Sequence, residues 1–147
     1  MTRRLCLIVL VLGLLWLGAM PATAQDNYTE NTVTRVYLIR AYPGKFDDVM
    51  NDLATNFKPI FEEEKRQHII EGYSVFYNTT KNSPNDWNIG FVVTYKNHAA
   101  FDGISAKTDP ITLKHYGTKE ARKAATQKRF TNAEVVSIST LQDVNLK

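Results

Sequence analysis

Residues 32–43 read Thr32-Val33-Thr34-Arg35-Val36-Tyr37-Leu38-Ile39-Arg40-Ala41-Tyr42-Pro43. The run is dense in β-branched and aromatic side chains and stops at Pro43-Gly44, which predicts a strand and its turn. Alternation puts Val36 and Leu38 on one face and Arg35, Tyr37 and Ile39 on the other. We expect the aliphatic face to pack on helices and the polar-aromatic face to meet wetter surroundings. Immediately afterwards the apolar period changes from 2 to 3.6. Phe46, Val49, Met50, Leu53, Phe57, Ile60 and Phe61 predict a helix over 45–68. Pro59 falls inside it and predicts a kink. The charges of Glu62-Glu63-Glu64-Lys65-Arg66 are expected on its solvated side.

Working outward, residues 72–79 (GYSVFYNT) and 88–96 (NIGFVVTYK) read as two strands joined by the turn-rich segment 81–87. Asn97 opens a short helix carrying Ala99, Ala100, Phe101 and Ile104. Thr108-Asp109-Pro110 is expected to start a new helix, with Pro at its first position. Gly117-Thr118 interrupts again, and Thr118 caps a helix in which Ala121, Ala124 and Ala125 form a small apolar stripe. Val135, Val136, Ile138 and Leu141 make the last strand. Toward the N-terminus, residues 25–31 are polar and aperiodic and are expected to be a flexible tail. The order β-α-β-β-α-β is the ferredoxin-like arrangement of the α+β class, with a four-stranded antiparallel sheet in a single domain over 32–147. Helices on one side leave the other sheet face bare. Its expected members are Tyr37, Ile39, Tyr73, Val75, Tyr77, Phe91 and Val93, an area that a second copy would cover in a homodimer.

The first 24 residues are expected to be a signal peptide. Arg3 and Arg4 precede an apolar run from Leu5 to Met20, and Pro21-Ala22-Thr23-Ala24 supplies a small-residue cleavage site. The expected location is periplasmic or secreted, with no membrane association after cleavage. Loss of Arg3 and Arg4 lowers Lys+Arg from 18 to 16 against 15 acidic residues, a net charge of +1. That balance gives no reason to expect a nucleic-acid partner. The one cysteine, Cys6, leaves with the signal, so disulfide, thiolate and Cys-metal chemistry are excluded from the rest. Hydrophobic residues make up 44% of the 147, enough for one globular core.

The chain resembles the dimeric α/β-barrel superfamily, which holds antibiotic-biosynthesis-type monooxygenases, NIPSNAP-type and stress-responsive barrel proteins. The resemblance spans about Thr32 to Leu141. It rests on the element order, on Ala41-Tyr42-Pro43-Gly44-Lys45 leading into a helix, and on Val92-Val93-Thr94-Tyr95-Lys96-Asn97-His98-Ala99-Ala100-Phe101. It implies a dimeric α/β barrel with a pocket between sheet and helices, and it places His115 in a region that lines that pocket. Heme-degrading members use an Asn on the first strand, a Trp on the short helix and a His beyond it. Here Tyr37 stands at the strand position and Gly103 or Ile104 at the helix position. Only His115 has a counterpart, so no heme or other cofactor is carried over.

The expected ligand-binding residues are His115, Tyr37, Phe57, Phe61 and Phe101. An imidazole can hold a ligand or move a proton near neutral pH, and aromatic walls with a few polar groups suit a small apolar molecule. Arg35, Tyr73, Tyr77 and Tyr95 add polar groups on the same or neighbouring strands. His98 with Asp102, and Glu64 with His68, are i, i+4 pairs, too few ligands for a closed metal site, and no metal is expected. No G-x-S-x-G elbow, G-x-G-x-x-G or P-loop occurs. The leading expectation is an exported homodimer binding a small hydrophobic or aromatic molecule, its exact role open. The alternatives are a cofactor-independent or heme-linked monooxygenase and a non-catalytic assembly module.

Overall fold

The computed structural model describes residues 27–147, so the expected signal peptide over 1–24 lies outside the described residues. Four strands, β1 (Tyr28–Ala41), β2 (Gly72–Tyr77), β3 (Ile89–Tyr95) and β4 (Ala133–Leu146), form one antiparallel sheet in the order β2-β3-β1-β4. With its helices layered on one side, the fold is ferredoxin-like, as the element order implies.

β1 begins earlier than the polarity of 25–31 suggests. Tyr28, Thr29 and Glu30 pair with Leu146, Asn145 and Val144 of β4. Backbone pairing extends past the last core residue, so polar side chains hide the strand from a periodicity reading. The same pairing carries β4 beyond Leu141. At the other end of β1, buried Asn88 serves the ladder with its side chain. The Ala41 N–H donates to Asn88 Oδ1 at 2.8 Å, and the Asn88 N–H donates to the Ile39 carbonyl at 2.9 Å.

The first helical segment runs as α1 (Phe46–Asp52), a π turn (Leu53–Phe57) and α2 (Lys58–Arg66). Pro59 lacks an N–H and its ring would meet the carbonyl four residues back. The π turn absorbs this, with the Lys58 N–H reaching back five residues to Leu53 O. α2 closes on a left-handed residue, His68 at φ 55°. The His68 N–H donates to Lys65 O at 3.0 Å and the Ile69 N–H to Glu64 O at 2.9 Å, the bond pattern of a Schellman motif.

After the 3-10 turn His98–Phe101 come α3 (Ile104–Tyr116) and α4 (Lys119–Asn132). Here one expectation fails. Thr108-Asp109-Pro110 does not start a helix; Pro110 lies inside α3. The left-handed Gly103 at φ 62° starts α3 instead. Thr118 does cap α4, accepting from the Ala121 N–H at 3.0 Å.

The two sheet faces are the reverse of the expectation. Tyr37, Ile39, Tyr73, Phe91, Val93 and Tyr95 lie under the helices with Val49, Leu53, Phe57 and Phe61. Val75 and Tyr77, whose register partners are Phe91 and Ile89, share that face at its exposed edge. The opposite face carries Thr34, Val36 and Leu38 of β1, paired with Thr94, Val92 and Gly90 of β3. Phe57 and Phe61 of the kinked helix pack on Phe91 and Tyr73 of that face. Close approach shapes the bare face: a Cβ on Gly90 would sit 2.3 Å from the Phe76 ring.

Candidate functional site

The helices do not fill the aromatic face of the sheet. Between them lies a cleft with two lobes that share Tyr37, Phe57, Phe91, Thr126 and Arg129. The floor is a cross-strand pair, with the Tyr37 and Phe91 rings stacked at 4.4 Å and 13°. Phe57 and Phe61 form the opposing wall, their rings 5.7 and 6.0 Å from that of Phe91.

The first lobe, about 270 Å³, is lined by Ile39, Val49, Leu53, Ala133, Val135 and Ile138, and it opens beside the exposed Phe130. The second, about 390 Å³, is walled by Glu64, Tyr95, Arg35, Tyr116, Thr108, Thr112 and Arg122 as well as apolar groups. The cleft is therefore apolar at one end and polar at the other, the arrangement that orients a small amphipathic molecule.

Arg129 divides the lobes. Its Nε donates to Asp52 Oδ2 at 2.5 Å, and its guanidinium also bonds the Tyr116 hydroxyl and lies 4.4 Å over the Phe57 ring. Burial works against the charge, but the bond and attraction to Asp52, together with Tyr116, hold the Arg129 pKa above its ordinary value. Asp52 Oδ1 accepts from Asn56 Nδ2 at 2.6 Å, and Asn56 Oδ1 lies 3.0 Å from His115 Nε2. Since Asn56 uses its amide nitrogen on Asp52, its oxygen accepts an N–H from His115 Nε2. A polar chain thus runs His115–Asn56–Asp52–Arg129–Tyr116 from the helix surface to the cleft.

Three of the five expected ligand-binding residues, Tyr37, Phe57 and Phe61, line the cleft. His115 does not. It faces a separate groove between α2 and α3, with Pro59, Glu63 and Lys107, and the next residue, Tyr116, is the one that turns into the cleft. Phe101 lies behind the site. Its ring packs 4.7 Å from Tyr95 and carries the Arg35 guanidinium 4.4 Å above it, so it positions Arg35.

Glu64 was expected in solvent with the rest of its charge run, yet it is 6% exposed. It sits four residues after Ile60 and three after Phe61, both buried, and that spacing marks the inner face of α2. Among the described residues its carboxyl has no hydrogen bond or ion pair. Burial pushes its pKa up to about 7. Burial also pushes the Tyr95 hydroxyl up to about 12, with the nearby Tyr37 second. Glu64 and His68 do not pair, because His68 has already left the helix. On α4 the alanine stripe is not the inner one; Arg122, Thr126 and Arg129 at i, i+4, i+7 face the cleft. Tyr73 donates to Glu62 Oε1 at 2.5 Å beside Phe61.

No family model matches the chain, and no curated relative matches it. Solved structures do. HapK from Hahella chejuensis is similar at a TM-score of 0.50 and 15% identity, over 76% of this chain and 91% of that one. Protein SO0527 from Shewanella oneidensis is similar at 0.46 and 16%, over 82% and 98%. A protein from an uncultured marine organism, described as dimeric and ferredoxin-like, is similar at 0.45 and 14%, over 80% and 96%. At these identities the likeness to HapK concerns the fold.

Proposed function

We propose that the chain is an exported homodimer that binds a small hydrophobic or aromatic molecule in the cleft between sheet and helices. The observation that supports this is a packed aromatic cluster, Tyr37, Phe91, Phe57 and Phe61, that lines a cavity left open between the sheet and the helices. The rings close on one another but leave open space beside them, with polar groups mainly at one end.

The dimer follows from the bare face. Val36, Leu38, Val92 and Phe76 are partly exposed there, and Leu141, opposite Thr34, is 50% exposed. Its other members, Ser74, Ser137, Ser139 and Gly90, are small and let a second sheet approach closely. Partly exposed apolar groups would each gain up to about 1 kcal/mol on burial.

Titration with an anilinonaphthalene fluorophore tests the binding. One probe per chain is expected, with a bright blue-shifted emission. Thr126→Trp, which fills the waist shared by both lobes, should abolish it without lowering the melting temperature. Equal binding by the variant would place the probe elsewhere and overturn the assignment. N-terminal sequencing of the protein recovered from a bacterial periplasm should begin at Gln25.

A further inference from the structure

The polar lobe holds a carboxyl for which the fold supplies no partner. Glu64 is 6% exposed and lines the cavity. The groups that face the same space are Arg35 and Tyr37 from β1, Tyr95 from β3, Tyr116 from α3, and Arg122 and Arg129 from α4. Two of the three cations are already committed. Arg129 is bonded to Asp52 at 2.5 Å and Arg122 to Asp109 at 2.9 Å. Among the described residues Arg35 has no carboxylate partner and rests on the Phe101 ring. The Glu64 carboxyl oxygens open on the cavity with no protein hydrogen bond, so water or a ligand in that space has to complete them. An uncommitted arginine across the same cavity is the complementary half of that vacancy.

We infer that the ligand is an aromatic molecule carrying one acidic hydroxyl, a phenol or enol, and that Glu64 accepts the proton of that hydroxyl while Arg35 holds the oxygen. The inference rests on the reading of the cleft as an aromatic site and names its substrate class. In the step the ligand O–H bond breaks, an O–H bond forms on Glu64, and the electron pair stays on the ligand oxygen. One proton and one negative charge are shared between the two partners, and Arg35 balances the charge. No oxidant or reductant takes part. Burial holds the carboxyl at about 7, near the range of an activated phenol, so that proton transfer costs little in either direction.

The test compares 4-nitrophenol with 4-nitroanisole, the same ring with its hydroxyl blocked. Binding is followed calorimetrically, and the visible phenolate band is recorded at a pH just below the ionisation of the free phenol. The purified protein should bind nitrophenol about tenfold more tightly, the scale of a charge-assisted hydrogen bond, and the bound probe should show the phenolate band. Glu64→Gln should bind both probes alike and lose the band. Arg35→Met should also lose the band. If the wild-type protein binds the two probes equally, or if Glu64→Gln keeps the preference and the band, the inference is overturned and the aromatic site stands. If neither probe binds, the aromatic site itself fails, and the inference with it.

Discussion

Glu64 shows how a single side chain couples stability to pH. Its pKa rises from 4.5 to about 7 on folding, so between those values the folded chain binds more protons than the unfolded one. Stability must then fall as pH rises through this window and level off above it. Glu64→Gln removes the dependence. The variant should match the wild type near pH 4 and exceed it at pH 8 by up to about 3 kcal/mol, at about 1.4 kcal/mol per pKa unit. Urea melts across that range check it; parallel curves for the two proteins would show that the carboxyl is solvated. His68 offers a separate test. A left-handed residue with a Cβ costs about 1 kcal/mol relative to glycine at the same position. His68→Gly should therefore raise stability by about that much, less the extra freedom glycine gains when unfolded. The position of Glu64 was legible in the spacing from Ile60 and Phe61 but was masked by its charged neighbours. His68 was not legible, since nothing in its type signals a positive φ.

The kinked helix sets what the elements can do. Its π turn keeps Phe57 and Phe61 over the sheet on either side of Pro59, and Asp52 and Asn56 on that helix tie it to α4 and α3. Removing Arg129 would leave Asp52 uncompensated. Breaking a fully buried pair costs about 3–5 kcal/mol. The two partners are 26% and 22% exposed, which scales the expected loss for Arg129→Met to about 2 kcal/mol after solvent screening. Thermal melts of Arg129→Met, alone and with Asp52→Asn, should show the second change restoring part of the loss. In the sheet, Gly90→Ala places a methyl group against the Phe76 ring and should cost about 1–3 kcal/mol. Phe76→Ala in the same chain should relieve part of it. The middles of the strands and of the first helix were readable from period, but the outer ends of β1 and β4, the start of α3 and the side of the sheet that meets the helices were not. Alternation divides β1 into two faces without ranking them; the ranking comes from Phe57 and Phe61, residues on another element.

At the scale of the whole molecule, the two faces of one sheet carry different tasks in this account. Under the proposed function the aromatic face would hold a ligand under the helices and the small-residue face would meet a second copy. The fold was legible from element order because the ferredoxin-like pattern needs only types and sequence. The cleft was legible in part. Tyr37, Phe57 and Phe61 stood out as aromatics, whereas Asp52, Tyr116 and Arg129 form a site only once three helices converge. Val36→Lys on the bare face should convert a dimer to a single chain while leaving probe binding intact, since Val36 lies on the sheet face opposite the cleft. The most direct measurement is sedimentation velocity of the purified protein with the anilinonaphthalene probe, followed by fluorescence. Probe and protein should move in one boundary at twice the chain mass. A boundary at the mass of one chain, or a probe that stays spread evenly while the protein sediments, would contradict the dimeric binding site.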